Sequence, residues 1–176
     1  MPLSAFLGWI SAQRLYELWL SARHTRTLIA RGAVEHDRAR YPWIVALHVV
    51  FPIALAVEVL ALGARPPRAW ALWLTLLVLA DMLRAWTMLT LGEHWTTRVW
   101  VVPGTTPVRN GPYRWMRHPN YLAVTLELLA APLMFGAWRT AVACLGINAV
   151  LLAGRIRAEE RALRIASNGV RTAHVP

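Results

Sequence analysis

Hydrophobic residues along this chain are gathered into runs, with the polar positions pushed between them. Trp43 to Leu62 holds 17 apolar residues of 20, and Ala69 to Leu91 holds 18 of 23. Tyr121 to Trp138 and Ala141 to Ile156 form a closely spaced pair, and Met1 to Leu20 is apolar but interrupted by Gln13, Arg14 and Glu17. Crossing a bilayer core takes about 20 residues of α-helix. Backbone groups in lipid must be satisfied within the segment, so such runs are helices. The pattern predicts an all-α integral membrane protein with about five spans, the last two short. The first run lacks a basic leader and a small-residue cleavage site, and we read it as a span rather than a signal peptide.

Residues 1–176 then form a single membrane domain. Three helices occupy 1–91, a long loop 92–120, a helical hairpin with a cytoplasmic helical extension 121–166, and a tail 167–176. Composition agrees with a lipid solvent. The chain is 57% hydrophobic and 16% charged, against about 45–50% and about 25% in soluble domains. A soluble fold this small could not bury so much apolar surface.

Charge decides the orientation. All 19 basic residues are arginine, and the net charge is +10. A basic excess marks either nucleic-acid binding or one face of a membrane. Here 14 arginines fall in segments 21–41, 92–120 and 155–171, and only Arg65, Arg68 and Arg139 fall in the alternate turns. That is the positive-inside bias. It places the N-terminus outside, with the loop and the C-terminus in the cytoplasm, and leaves no need for a nucleic acid. The absence of lysine points to GC-rich coding, hence a bacterial inner membrane. A lone cysteine, Cys144, and histidines without ligand spacing predict no metal site.

The 29-residue loop 92–120, with Pro103, Pro107, Pro112 and Pro119, exceeds the usual ~12–15 residues and is the place to seek chemistry. It ends in Gly111-Pro112-Tyr113-Arg114-Trp115-Met116-Arg117-His118-Pro119-Asn120-Tyr121 before an apolar helix. Pro119 suits a first helical position. Arg114, Arg117 and the positive end of the helix could hold a carboxylate. Alternatively, the arginines anchor the loop to headgroups and His118 caps the helix.

A second cluster, Arg155-Ile156-Arg157-Ala158-Glu159-Glu160-Arg161, follows the fifth helix. Glu159 and Glu160 lie about 60° and 40° to either side of Ile156. They either face a site or pair with Arg155 and Arg164 at i,i+4. Inside the spans lie His48, Glu58, Asp81, Arg84 and Glu127, functional candidates by position. Asp81 and Arg84 are expected to neutralise each other, and His48 to be a packing residue. Glu127 either acts on a substrate, pairs with Arg84 or Arg14, or is protonated. No two glycines are two residues apart, which excludes dinucleotide and P-loop fingerprints.

The Gly111-Pro112-Tyr113…Arg117-His118-Pro119-Asn120-Tyr121 string, the following hairpin and Arg157-Ala158-Glu159-Glu160-Arg161-Ala162-Leu163 resemble the isoprenylcysteine carboxyl methyltransferase family over roughly residues 104–164. Arg14…Glu17 and Gly32-Ala33-Val34-Glu35 before Tyr41-Pro42 resemble its small bacterial branch. The resemblance implies transfer of a methyl group from S-adenosylmethionine, bound between the loop and the C-terminal helix. It makes His118, Pro119, Tyr121, Arg157, Glu159 and Glu160 cofactor-binding residues and Arg117 a contact of cofactor or acceptor. Arg117 and Glu127 are the catalytic candidates, Glu127 or His118 being needed as a base only for a phenol-like acceptor.

The tail after Leu163 lacks the aromatic-rich segment of the eukaryotic-type enzymes. That shifts the expected partner from a prenylated cysteine to another lipidic small molecule, such as an alkylpyrone or alkylresorcinol oxygen. Two other classes share parts of the pattern. Membrane reductases using NADPH resemble the same C-terminal module but are much longer. A non-catalytic membrane interaction protein fits the composition and leaves the loop and the Glu pair unused.

Overall fold

Proline and glycine set several of the helix ends in the computed structural model, which describes residues 2–172, with side chains described through residue 166. Five α-helices are present among the described residues: α1 (Leu3–Ala30), α2 (Tyr41–Leu60), α3 (Trp70–Leu91), α4 (Pro119–Met134) and α5 (Trp138–Thr172). Two short strands, β1 (Val34–His36) and β2 (Val99–Val101), lie outside the helices. The expected tail, including Arg171, falls outside the described side chains, and residues 173–176 fall outside the described residues altogether.

By internal packing the chain forms two units. One comprises Pro42–Thr90 and Asn110–Ala153 and holds α2, α3, α4 and the first half of α5. Its α4 ends where the amide of Gly136 bonds the Leu133 carbonyl and that of Ala137 bonds Pro132. This is a Schellman stop with Gly136 in the left-handed region, φ 76°. The Gly136 backbone lies against the Arg65 carbonyl, 2.0 Å from where a Cβ would stand. From the last turn of α2, the Glu58 carboxylate reaches the start of α5. It accepts hydrogen bonds from the amides of Arg139 (3.0 Å) and Thr140 (2.7 Å) and from Thr140 Oγ1 (2.6 Å). The turn 61–69 and the turn 135–137 therefore share one end of this unit, with α2 and α4 running toward it and α3 and α5 away.

Glu58 thus acts as an anion at a helix N-terminus, where its charge is favoured. The Glu58→Ala variant strands two amides, and charge-assisted bonds of this kind are worth about 1.5–3 kcal/mol. Unfolding in detergent should show a loss of that order. A Glu58→Ala variant as stable as the parent contradicts the capping role.

Midway along the same unit, Arg84 of α3 grips Glu127 of α4 with two bonds, Nε to Oε1 at 2.6 Å and Nη2 to Oε2 at 2.7 Å. Both side chains are buried. Beyond Asp81, the expected partner three residues away on the same helix, Glu127 brings a second helix and both of its oxygens to Arg84. Such a bidentate pair matches the guanidinium fork. His48 is a packing residue, its Nδ1 donating to the Ile44 carbonyl at 2.8 Å. Asn148 Nδ2 of α5 donates to Thr125 Oγ1 of α4 at 3.1 Å.

Three helical stretches are long and apolar enough to cross a membrane: Tyr41–Leu60, Trp70–His94 and Trp138–Ala166. Trp43, Val49, Ile53, Val78, Leu79, Met82, Val142 and Val150 are exposed on them. Apolar surface on this scale is suited to lipid, and the chain is an integral membrane protein. The five-span pattern is thus met in three helices. The 16 residues of α4 rise only about 24 Å against a core of about 30 Å. Helix α1 does not stop at Leu20, because no glycine or proline occurs between Leu20 and Gly32, and the added turns carry Arg23, His24 and Arg26.

The other unit comprises Met1–Tyr41, Leu91–Arg109 and Gly154–Pro176. It contains a two-stranded antiparallel sheet that the hydrophobic pattern does not announce, with Val34 opposite Val101, Glu35 opposite Trp100 and His36 opposite Val99. Val99 and Val101 bury their side chains with Ala162, Ala166 and part of Leu163 from α5. The first part of the long loop is therefore an ordered element. Thr97 is its hub. The Thr97 amide donates to Ser21 Oγ at 2.9 Å, its hydroxyl meets Tyr41 Oη at 3.2 Å, and its carbonyl accepts from Arg155 Nη2 at 2.7 Å. His24 Nδ1 donates to the Trp95 carbonyl at 2.8 Å, and Arg31 pairs with Glu93.

Arg98 bonds Glu35 at 2.7 Å and lies over the Tyr41 ring at 4.2 Å. Burial opposes the charge on Arg98, but Glu35 and Tyr41 outweigh it and raise its pKa above the ordinary value. Gly154, inside α5, leaves room for Arg40, whose Nε stands 2.4 Å from where a Cβ would be.

Candidate functional site

The loop–helix junction is built by its two prolines. Pro112 sits in a 3-10 turn, Gly111–Arg114, and Pro119 opens α4, fully buried. Between them Trp115 is exposed and packs its ring against Trp86 at a centroid distance of 5.5 Å. Arg117 is exposed and His118 half-buried. His118 occupies the N-cap position of α4 but makes no side-chain capping bond. Its imidazole instead stacks on the Tyr121 ring, with centroids 5.3 Å apart and planes within 16°. The capping role that the sequence allowed for His118 is thereby replaced. Three residues along a helix is one near-full turn, which is what brings the two rings together.

Asn120, passed over in the sequence string, adds a further group. Its Oδ1 is buried and makes no hydrogen bond among the described residues. A buried acceptor without a donor is costly, and such groups call for an explanation. Its place between Pro119 and Tyr121 is the signal that could have drawn attention to it. Glu127, two turns further into α4, has both oxygens engaged by Arg84. Of the alternatives open for Glu127, the structure shows the ion pair with Arg84.

The second cluster lies on α5 after Gly154. Arg155, Ala162 and Ala166 are its buried positions, so the packed face runs through them rather than through Ile156. Arg155 is buried and bonded to the Thr97 carbonyl, a role invisible in the i,i+4 spacing. Glu159 and Glu160 are both half-buried and lie about 60° and about 160° round the helix from Ala162. Arg157 is exposed, and its carbonyl accepts from Arg161 Nε at 3.1 Å. Arg117, His118, Pro119, Asn120, Tyr121 and Glu127 belong to the unit containing α4; Arg157, Glu159 and Glu160 belong to the other.

Among known proteins, the isoprenylcysteine carboxyl methyltransferase (ICMT) family matches residues 73–165. That stretch includes both clusters. An uncharacterized protein of Bacillus subtilis (strain 168), YpbQ, is 38% identical over 152 residues, covering 86% of this chain and 90% of its own. An uncharacterized protein of Haemophilus influenzae is 31% identical over 155 residues, covering 88% of this chain and 90% of its own. No solved structure matches. With more than half of its length matched, and with the Arg-His-Pro-Asn-Tyr junction and the paired glutamates inside the match, the chain belongs to the isoprenylcysteine carboxyl methyltransferase family.

Proposed function

We propose that this protein is an S-adenosylmethionine-dependent O-methyltransferase that acts on the carboxylate or acidic hydroxyl of a lipidic acceptor. The observation that carries the reading is the stacked His118–Tyr121 pair at the start of α4, flanked by Arg117 and by the unpartnered Asn120 Oδ1, within the family match. S-adenosylmethionine supplies an electrophilic methyl group on a cationic sulfonium. The residues present fit it. A Tyr121 ring face favours a cation. Arg117, beside the positive end of α4, receives a carboxylate. Asn120 Oδ1 accepts from an ammonium or a hydroxyl. In the other unit, Glu159 and Glu160 carry acceptors suited to hydroxyls or an ammonium, and Arg157 a donor suited to anionic oxygen.

Methyl transfer is an in-line displacement, so positioning supplies much of its rate. A carboxylate acceptor is already ionised at neutral pH and needs no base; a phenol, near pKa 10, would pass its proton to His118. Glu127 contributes through Arg84, by holding α3 and α4 in register, and is a positioning residue. The acceptor keeps its chain in lipid, since each CH₂ taken into water costs ~0.8 kcal/mol.

The same reading puts five spans in a bacterial inner membrane, with segment 92–120 and the C-terminus cytoplasmic. Two observations support it. Arginines divide 14 to 3 between the alternate segments. The sparsely charged turns 61–69 and 135–137 share one end of their unit, through Glu58 and Gly136, as turns on one side of a membrane must. A cysteine placed at position 106 should be shielded from an impermeant reagent added outside intact cells and reached after permeabilisation. Labelling from outside overturns the orientation.

The cofactor assignment is tested by calorimetric titration of the detergent-solubilised protein. Glu159→Gln and Glu160→Gln each remove a charge-assisted bond worth about 1.5–3 kcal/mol, so the S-adenosylmethionine Kd should rise roughly ten- to over a hundred-fold. Unchanged affinity in both variants contradicts the assignment and leaves the pair a solvated face.

A further inference from the structure

A recess lies within the unit that carries β1. It encloses about 330 Å³ and is lined by His36, Asp37, Arg40, Ala158, Arg161, Ala162 and Ile165. That volume is at the lower end for sites that hold small molecules or their polar ends. Asp37 is the unusual member. It sits at the corner between β1 and α2 with φ 61°, a conformation that aspartate and asparagine tolerate better than most residues. Its side chain is 4% exposed. Oδ1 pairs with Arg40, while Oδ2 is buried and has no hydrogen-bond partner among the described residues. A buried carboxylate oxygen calls for a donor.

The charges around the recess narrow the ligand class. Arg40 and Arg161 bring two guanidinium groups to its wall. A simple cation would satisfy Asp37 but meet both of them. A simple anion would satisfy the arginines but leave Asp37 Oδ2 unpaired and facing like charge. One molecule carrying both signs answers both demands. We propose that this recess binds the zwitterionic end of a ligand, with a primary ammonium on Asp37 Oδ2 and anionic oxygens on Arg40 and Arg161. Ala158, Ala162 and Ile165 form the apolar part of the wall, and Ile165 is 71% exposed, which suits a ligand continuing into a non-polar portion. Two sources supply this chemistry: the headgroup of an ethanolamine phospholipid, and an α-amino-acid end such as the one S-adenosylmethionine carries. The first source is independent of the methyltransferase reading.

The test is binding to the full-length protein in detergent, followed by native mass spectrometry and calorimetry. Three probes are used: dioctanoyl-phosphatidylethanolamine, dioctanoyl-phosphatidylglycerol, which lacks the ammonium, and S-adenosylmethionine. Asp37→Asn keeps an oxygen for Arg40 and tolerates the backbone conformation, so the fold is retained; Arg161→Gln alters an exposed position on α5. One zwitterionic probe should lose about tenfold or more in affinity in both variants, as expected for a charge-assisted bond. If phosphatidylethanolamine is the probe affected, and it binds more tightly than phosphatidylglycerol, the occupant is a lipid headgroup. If S-adenosylmethionine is affected, the occupant is the amino-acid end of the methyl donor, which is then held here and not by Arg117 and Asn120. The proposal is overturned if neither zwitterion is weakened by both variants; phosphatidylglycerol matching phosphatidylethanolamine in the parent and in Asp37→Asn excludes the lipid headgroup, and the proposal then falls unless both variants weaken S-adenosylmethionine. Failure of S-adenosylmethionine to bind at all counts against the methyltransferase reading and leaves the phosphatidylethanolamine arm to decide this one.

Discussion

Replacing Glu127 by glutamine should lower unfolding stability by about 3–5 kcal/mol, the cost of removing one member of a buried ion pair. Arg84 and Glu127 are both buried and joined by two short bonds. Glutamine keeps the shape but not the charge, so the buried Arg84 guanidinium loses the charge opposite its two bonds to Glu127. Arg84→Met should be similarly harmful, because it strands the carboxylate. The double replacement Arg84→Met with Glu127→Leu removes both desolvation penalties and should recover most of the loss. Denaturant titration in detergent micelles, followed by tryptophan fluorescence, measures all three variants. If the single variants unfold with the parent, the pair does not hold α3 to α4.

Gly136→Val should cost about 2–5 kcal/mol by two separate effects. The left-handed backbone at φ 76° penalises any β-carbon by about 1–2 kcal/mol. The added carbon would also stand 2.0 Å from the Arg65 carbonyl oxygen, a backbone atom, and overpacking adds about 1–3 kcal/mol. Gly146, in the middle of α5, is the control. Nothing lies within 4 Å of a Cβ there, so Gly146→Ala should stabilise by up to about 1 kcal/mol through helix propensity alone. Melting curves for the two variants separate a required glycine from a merely tolerated one. Equal behaviour contradicts the close approach of the two turns.

What was legible in the sequence follows from how local each feature is. Helices α2 and α3 were readable because their apolar runs carry their own boundaries; the runs Trp43–Leu62 and Ala69–Leu91 overlap Tyr41–Leu60 and Trp70–Leu91 almost throughout. The break between α4 and α5 was readable less well. Gly136 ends α4 before Trp138, whereas Gly154, between the apolar part of α5 and its charged extension, does not break the helix, so one helix runs to Thr172. The sheet was invisible, because three-residue strands have no period to detect and their partners stand 63 to 67 residues apart. Arg84 shows the same limit. Spacing could suggest Asp81, but only the packing of α3 on α4 supplies Glu127.

The candidate site divides in the same way. The residue types at the loop–α4 junction and in the Glu pair were readable as strings, since their order along the chain is itself the signal. Their local environments were not. The His118–Tyr121 stack, the buried Asn120 Oδ1 and the engagement of Arg155 by Thr97 all depend on side-chain directions that spacing does not determine. Asp37 carries no motif at all, and its interest comes from one buried oxygen beside a recess.

The central claim is that a methyl group passes from S-adenosylmethionine to an oxygen on a lipid. It is tested most directly by incubating the purified protein with isotopically labelled S-adenosylmethionine and a bacterial lipid extract, then analysing the organic phase by mass spectrometry. The account predicts a lipid that gains one labelled methyl as an ester or ether, formation of S-adenosylhomocysteine in equal amount, and loss of both in Arg117→Gln. No labelled lipid and no S-adenosylhomocysteine, under conditions where the protein remains folded and consumes NADPH instead, would contradict it.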